Sequence, residues 1–549
     1  MTERVADQPL RLRWFWYFAA LVIYILTALL VVWHGTDLHE QLLGTGEDPF
    51  ISTWFLAWWP FAFQHHLDPF YTHLVWQPEG LNLGWTTSIP TLAVLASPLT
   101  AAVGPLLTYD ILMFLAPICS AIGAYALCLY VCRVPLAAMF GGWLFGFSSF
   151  ATAHVNQHLN LEWTVLIPLL ALIGLKRLDG NLGRAWTVLG ASILLAAQAG
   201  LSLEIFATFI VMSAMGWMLA WVTVVRLRGA LLLLAGDILL AAPLTLLILS
   251  PMLYAMFARP HDMALPKFWP EFFSTDPVNF FFPTEATWLG GKLFLPVSSH
   301  FAGLVCEQAG YLGLPLLVIL WRYLRRSSLF LVLLFVGILL ASCGPQLVVG
   351  SREVGIPLPW IVMTKLPLIG NALPGRLMLY ASLVAAVIAS LWLAENVSAK
   401  RYGLALLAVL FLWPAPGLVQ KIPFQPFFQP HVVKSALGNN KKVLILPLGI
   451  SSPSMYWQML SGFSFSLATG YLVFPPARVQ DNAALMKLFF GSVGPDTLPA
   501  IKAYCYATHV DALVVAPGTD PQLMSGVRAF QWPSKTVEGV TVYTVPQEH

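Results

Sequence analysis

The sequence predicts a mainly α, polytopic membrane protein: a bundle of about eleven transmembrane helices followed by a small α/β domain. Three observations predict it. The 549 residues are 58% hydrophobic and only 10% charged, with a mean hydropathy of +0.74, whereas soluble domains carry roughly 25% charge. Apolar runs of membrane-spanning length recur from residue 14 to residue 417. From Lys441 onward the pattern changes to short β-branched runs separated by segments of helical spacing.

The first run, Trp14 to Trp33, follows Arg4, Arg11 and Arg13 and lacks a small-residue cleavage site, so it reads as an uncleaved signal anchor. Eleven further apolar segments lie near 88–106, 108–132, 135–151, 161–175, 185–199, 200–225, 229–257, 309–324, 328–346, 374–394 and 402–417. Were all twelve to cross from a cytoplasmic N-terminus, Arg133, the Lys176/Arg177/Arg184 group, Arg226/Arg228, Arg322/Arg325/Arg326 and Lys400/Arg401 would all face outward. Basic residues in short loops stay cytoplasmic. The segment 88–106 holds three prolines, and every cluster moves inside if it turns back within the bilayer or lies in the interface.

That parity divides the chain into a membrane domain (1–417), a Pro- and Phe-rich linker (418–440) and an outer α/β domain (441–549). Its outer loops are 35–107, 258–308 and 347–373. In the last domain VLILPLG, DALVVAP and GVTVYTV read as strands, NAALMKLFF and TLPAIKAYCYATHV as helices. It has no glycine fingerprint and no nucleophile elbow, so it reads as a lid or docking module. The net charge of +3 is small and dispersed, which excludes nucleic acid as a partner, and the six cysteines have neither metal-like nor oxidoreductase spacing.

Candidate chemistry gathers on the outer loops. Glu47 and Asp48 open a Trp-rich segment, and a carboxylate there can take a proton from an attacking hydroxyl. The same pair is also a good helix N-terminus. Trp54, Trp58, Trp59, Phe61 and Phe63 read as an aromatic belt at a lipid boundary. His154 and His158 stand four residues apart with Asn156 between them, but no third ligand is fixed by spacing. No residue is therefore assigned to a metal, a divalent ion stays open, and the hinge reads as polar cavity lining. Arg376, after Pro-Gly at a span's outer mouth, suits a phosphate or a snorkelling anchor. Arg259, Lys365 and Arg352 are the other outer cations. Glu204 sits at an outer hinge, in reach of the cavity expected around Asp48, while Asp237 lies within a span with no partner readable from the sequence.

GEDP in the first loop, the Trp-rich segment, SPLTAAVGPLLTYD, GWLFGFSSFATAHVNQHLN, CEQAGYLG and NALPGRLMLY together resemble the GT-C superfamily, polytopic glycosyltransferases that use polyprenyl-phosphate sugars. The resemblance implies a bacterial inner-membrane protein with a cytoplasmic N-terminus and a periplasmic C-terminal domain. It implies transfer of a hexosyl or pentosyl unit from a polyprenyl-phosphate carrier to a glycan, lipid or protein acceptor with inversion. It maps the catalytic base onto Asp48, with Glu47 second, and a further metal- or acceptor-binding acid onto Asp68, Glu162, Asp276 or Glu307. Arg376, Arg259, Lys365, His154, Asn156, His158, Glu204 and Glu307 are the expected substrate contacts. Two other readings remain: a lipid-linked-glycan flippase, and a non-catalytic assembly protein of envelope glycan synthesis.

Overall fold

The computed structural model describes residues 10–38, 40–259, 270–366, 369–396, 398–472 and 475–546, with side chains from residue 14. Arg4 and the 260–269 part of the 258–308 loop lie outside the described residues. The chain divides into two compact units. One comprises 1–37, 110–249 and 267–419; the other comprises 38–109, 250–266 and 420–549.

The first unit holds most of the apolar helices. Among the described residues eight helical stretches are long and apolar enough to cross a membrane: Trp14–Trp33, Pro105–Cys132, Pro135–His154, Leu159–Leu178, Arg184–Leu201, Leu203–Thr223, Val225–Ile248 and Pro374–Ala394. The protein is a multi-pass membrane protein. Three of the eleven expected passages correspond to shorter helices, Leu314–Leu324, Leu329–Ser342 and Ala399–Phe411. Residues 88–106 make two short helices, Pro90–Leu95 and Ser97–Val103, neither long enough to span. Prolines at the start of each fix where they begin, since a proline at the first turn forfeits no intrahelical hydrogen bond.

Small residues let the first unit's helices approach closely. At Gly141, Gly142 and Gly146 an added Cβ would stand within 2.5 Å of Ser390 Oγ, Tyr24 Oη and the Ala121 Cβ. Helix Met378–Ala394 packs against helix Pro135–Gly146, and most of its residues are buried. Asp237 has partners that its sequence context did not reveal. Arg177 Nε lies 2.5 Å from Oδ2 and Arg184 Nε 3.2 Å from Oδ1, so the ends of two helices meet the middle of a third on one buried carboxylate.

The second unit contains a five-stranded sheet in the order Ser534–Val537, Val540–Thr544, Ala512–Val515, Lys442–Leu446, Ser466–Leu467. Lys442–Leu446 is parallel to both neighbours, with Val443 opposite Ala512 and Leu446 opposite Val515. Helices Ala483–Phe489 and Thr497–Ala507 lie between the strands in sequence, as the alternation predicts.

The same unit contains the Trp-rich segment as helix Asp48–Gln64. The expected lipid-facing belt is not there. Trp54, Trp58 and Trp59 are 0%, 1% and 3% exposed, so protein rather than lipid covers them. Trp54 stacks on Trp58 with ring centroids 5.5 Å apart, and Phe463 meets both rings edge-on. Each indole N–H has a fixed acceptor: Gln458 Oε1 at 3.0 Å, the Pro69 carbonyl at 3.0 Å and the Ser88 carbonyl at 3.1 Å. Buried indoles require such acceptors. Of the five aromatic residues expected in the belt, Phe63 alone is exposed.

Candidate functional site

The second unit carries the first-loop acids. Gly44 and Gly46 take φ of +90° and +79°, turning the chain sharply into the helix, with Glu47 as its N-cap and Asp48 as its first residue. A carboxylate at a helix start is favoured by the exposed N–H groups and the helix dipole. Gln420 Nε2 donates to the Gly46 carbonyl at 3.0 Å and so holds the turn. Both acids are half-buried. Burial, and then the neighbouring Asp48 carboxylate, push the Glu47 carboxyl from 4.5 up to about 7. Tyr471 is pushed up to about 12, first by burial and then by the charges of Asp48 and Glu47. Glu47 therefore holds a proton more readily than an ordinary glutamate. Asp68 and Arg259 form an ion pair in this unit, and the Arg259 guanidinium also lies over the Tyr71 and Tyr254 rings.

The first unit assembles a second group: Glu204, Glu307, Arg376, His154 and His158. Ser202 caps helix Leu203–Thr223 through the Ile205 N–H and leaves Glu204 in the first turn. Arg376 sits in the short 3-10 turn Pro374–Leu377 that opens the last long helix. Gly375 N donates to the Phe273 carbonyl at 2.9 Å, and a Cβ at Gly375 would itself stand 2.9 Å from that oxygen, so the turn needs a glycine. Glu307 ends the turn Val305–Glu307, and Gly310 behind it is anchored by Asn279 Oδ1 at 2.7 Å.

The Arg376 guanidinium grips Glu307 with two N–H groups, Nε at 3.0 Å and Nη2, and reaches Glu204 with Nη1. Glu204 also accepts the Leu373 N–H at 2.7 Å. Burial alone would raise the Glu307 carboxyl, but the Arg376 guanidinium outweighs it and holds it well below the usual carboxylate range. Two carboxyl groups thus share one guanidinium.

His154 completes the group. Its Nδ1 lies 2.8 Å from the Phe150 carbonyl, which can only accept, so Nδ1 carries the proton. Nε2 faces Glu307 Oε2 at 3.5 Å. His158 follows one turn later, with ring centroids 5.4 Å apart. One nitrogen from each histidine and an oxygen of Glu307 lie within 4.8 Å of one another.

The expected contacts therefore separate. His154, His158, Glu204, Glu307 and Arg376 come together. Asn156 accepts the Leu418 N–H at 2.8 Å through Oδ1 and donates to the Thr152 carbonyl at 3.3 Å, a structural role in the hinge. Lys365 and Arg352 are exposed. Asp276 accepts the Val278 and Gly350 N–H groups at 2.9 and 2.6 Å and so braces its own loop. Glu162 is buried one helical turn beyond His158, its N–H bonded to the His158 carbonyl at 3.1 Å, and its carboxylate oxygens have no hydrogen bond among the described residues. The spacing of His154 and His158 put the two on one turn but read as polar lining, and Glu307 entered only through the resemblance, as one of four acids that could bind metal or acceptor.

No protein-family model and no curated protein matches the sequence. Solved structures do. Two cryo-EM structures of the arabinofuranosyltransferase AftD from mycobacteria align over 97% and 96% of this chain, with TM-scores of 0.60 and 0.56 at 12% identity. The apo Archaeoglobus fulgidus oligosaccharyltransferase aligns over 91% of this chain and 69% of its own at 14% identity, with a TM-score of 0.49. The chain spans only 42% and 41% of the length of the AftD structures. Its fold is similar to that of these AftD structures.

Proposed function

We propose that the protein is a glycosyltransferase that moves a sugar from a polyprenyl-phosphate carrier to an acceptor hydroxyl with inversion. The observation that carries this reading is the AftD-like fold over 97% of the chain at a TM-score of 0.60. Within that fold the acidic pair at the start of helix Asp48–Gln64 supplies the chemistry. Asp48 accepts the proton of the acceptor hydroxyl as its oxygen bonds to the anomeric carbon, and the bond from that carbon to the carrier phosphate breaks on the opposite side. Glu47, with a carboxyl that titrates near 7, is the neighbour whose proton sets the local charge.

The reading puts residue 1 in the cytoplasm of a bacterial inner membrane and residues 441–549 in the periplasm. What supports it is the placement of Lys and Arg, since none occurs between Arg13 and Arg133 while the short loops after each even passage are basic. Asp237, the one deep acid singled out for a transporter, is held by Arg177 and Arg184, which suits a static scaffold better than a moving translocation path.

The test is transfer by detergent-purified full-length protein, offered polyprenyl phosphates bearing radiolabelled pentose or hexose and envelope lipid extract as acceptor. Label should move to the acceptor and free polyprenyl phosphate should appear, and Asp48→Asn should abolish both while the protein still purifies as a folded species. Transfer at the parental rate by that variant would remove Asp48 from the reaction. Periplasm-active reporters fused at residues 48 and 500 that disagree would remove the sidedness.

A further inference from the structure

We propose that His154, His158 and Glu307 form a binding site for a divalent transition-metal ion of the Zn2+ type, with Arg376 and Glu204 as the layer that orients it. The site lies wholly within the first unit and takes no ligand from the first-loop acids.

The geometry points to an ion rather than a plain hydrogen bond. His154 is fully buried, its Nδ1–H is committed to the Phe150 carbonyl, and its Nε2 has no hydrogen-bond partner. That nitrogen is aimed at a carboxylate oxygen 3.5 Å away. The separation is longer than a normal N–H···O bond of about 2.9 Å. It matches the edge of a tetrahedron: ligand bonds of about 2.0–2.1 Å at a tetrahedral angle put the two ligand atoms roughly 3.4 Å apart. In the neutral ring Nε2 presents a lone pair to that carboxylate, and a cation between them turns the contact attractive.

The surroundings complete the case. A metal-bound histidine is held by its other ring nitrogen on a carbonyl or carboxylate, as Nδ1 is held here. Glu307 is oriented by two N–H groups of Arg376. Glu204 shares the guanidinium with Glu307, so two carboxyls draw on one cation and a metal ion adds positive charge where it is short. Two imidazoles and one carboxylate favour zinc over the hard, oxygen-seeking magnesium ion. Three protein ligands leave a fourth position for an oxygen from solvent or substrate.

The experiment uses the full-length protein in detergent, stripped with chelator and then equilibrated with Zn2+ or Co2+ alone. Wild type should retain about one Zn2+ per chain by elemental mass spectrometry, give the visible absorption of tetrahedral Co2+, and keep its ion in excess Mg2+. His154→Gln and His158→Gln should each weaken retention at least about tenfold. His158 is only half-buried and borders the hinge, so its variant reads the site where loss of the buried His154 perturbs folding. Wild type with no zinc above background, or zinc that survives both histidine substitutions, overturns the proposal. Loss of zinc in Asp48→Asn would overturn the ligand set. None of these readouts depends on sugar transfer, so this site and the proposed reaction fail independently.

Discussion

The Trp54 indole donates its N–H to the side-chain oxygen of Gln458 at 3.0 Å, joining the first loop to the C-terminal domain across 404 positions of sequence. Gln458 is fully buried, and its amide nitrogen donates to the Leu74 carbonyl at 2.7 Å and the Phe465 carbonyl at 3.1 Å. One side chain therefore satisfies three segments of the second unit. Gln458→Leu, similar in size but apolar, strands one donor and two acceptors, each at about 1–3 kcal/mol. The thermal midpoint of the detergent-purified protein should fall sharply, and more than in Trp54→Phe, which strands only the glutamine oxygen. Equal midpoints for the two variants would show that the amide does not organise these segments.

Glu47 gives the pH dependence. Its carboxyl is raised from 4.5 to about 7, first by burial and then by Asp48. Between those values the folded protein holds a proton that the unfolded chain has lost. The contribution to stability is therefore present below the unfolded value and lost as pH rises through about 7. Thermal midpoints of the parent should decline between about pH 5 and about pH 8 more steeply than those of Glu47→Gln, whose amide stays neutral throughout. Parallel curves would assign the decline to another group.

Much of this architecture was legible in the sequence, and the misreadings share one cause. Apolar length and the Lys/Arg pattern located the long helices, and alternation located the terminal strands, because both signals are local in the chain. Whether lipid or protein covers an apolar ring is not local. Trp54, Trp58 and Trp59 read as a membrane belt because Phe463 and Gln458, which bury them, lie some 400 residues away. Arg376 read as a free guanidinium because Glu204 and Glu307 are far from it in the chain. Asp237 appeared alone for the same reason.

Arg376 is the centre of its group, and its charge matters more than its size. Arg376→Gln leaves Glu204 and Glu307 facing each other without a cation, and breaking a buried pair in this way costs about 3–5 kcal/mol. Adding Glu307→Gln to that variant should recover part of the loss, since it removes one of the two repelling charges. Arg376→Lys should fall between, because an ammonium cannot match the two-pronged contact. Thermal unfolding of the set checks the order. A double variant as unstable as the sum of its singles would show that the two residues do not act on each other.

The Asp237 contact separates buried from exposed charge within one ion triplet. Asp237 and Arg177 are largely buried, with 3% and 17% of their side chains exposed, while Arg184 is 65% exposed. Arg184→Met should therefore cost less than about 1 kcal/mol, since water screens that partner. Arg177→Met leaves the carboxylate in an apolar bundle with only the exposed arginine to neutralise it, a loss of about 3–5 kcal/mol. Asp237→Leu removes the anion together with its desolvation cost and leaves Arg177 close enough to the helix ends to reach water, so it should destabilise less than Arg177→Met. The expected order of thermal midpoints is Arg184→Met highest, Asp237→Leu next and Arg177→Met lowest. If Asp237→Leu were the lowest, the carboxylate would be needed for more than its arginines, and the scaffold role given to this acid would have to be replaced by one in which its charge does work within the membrane.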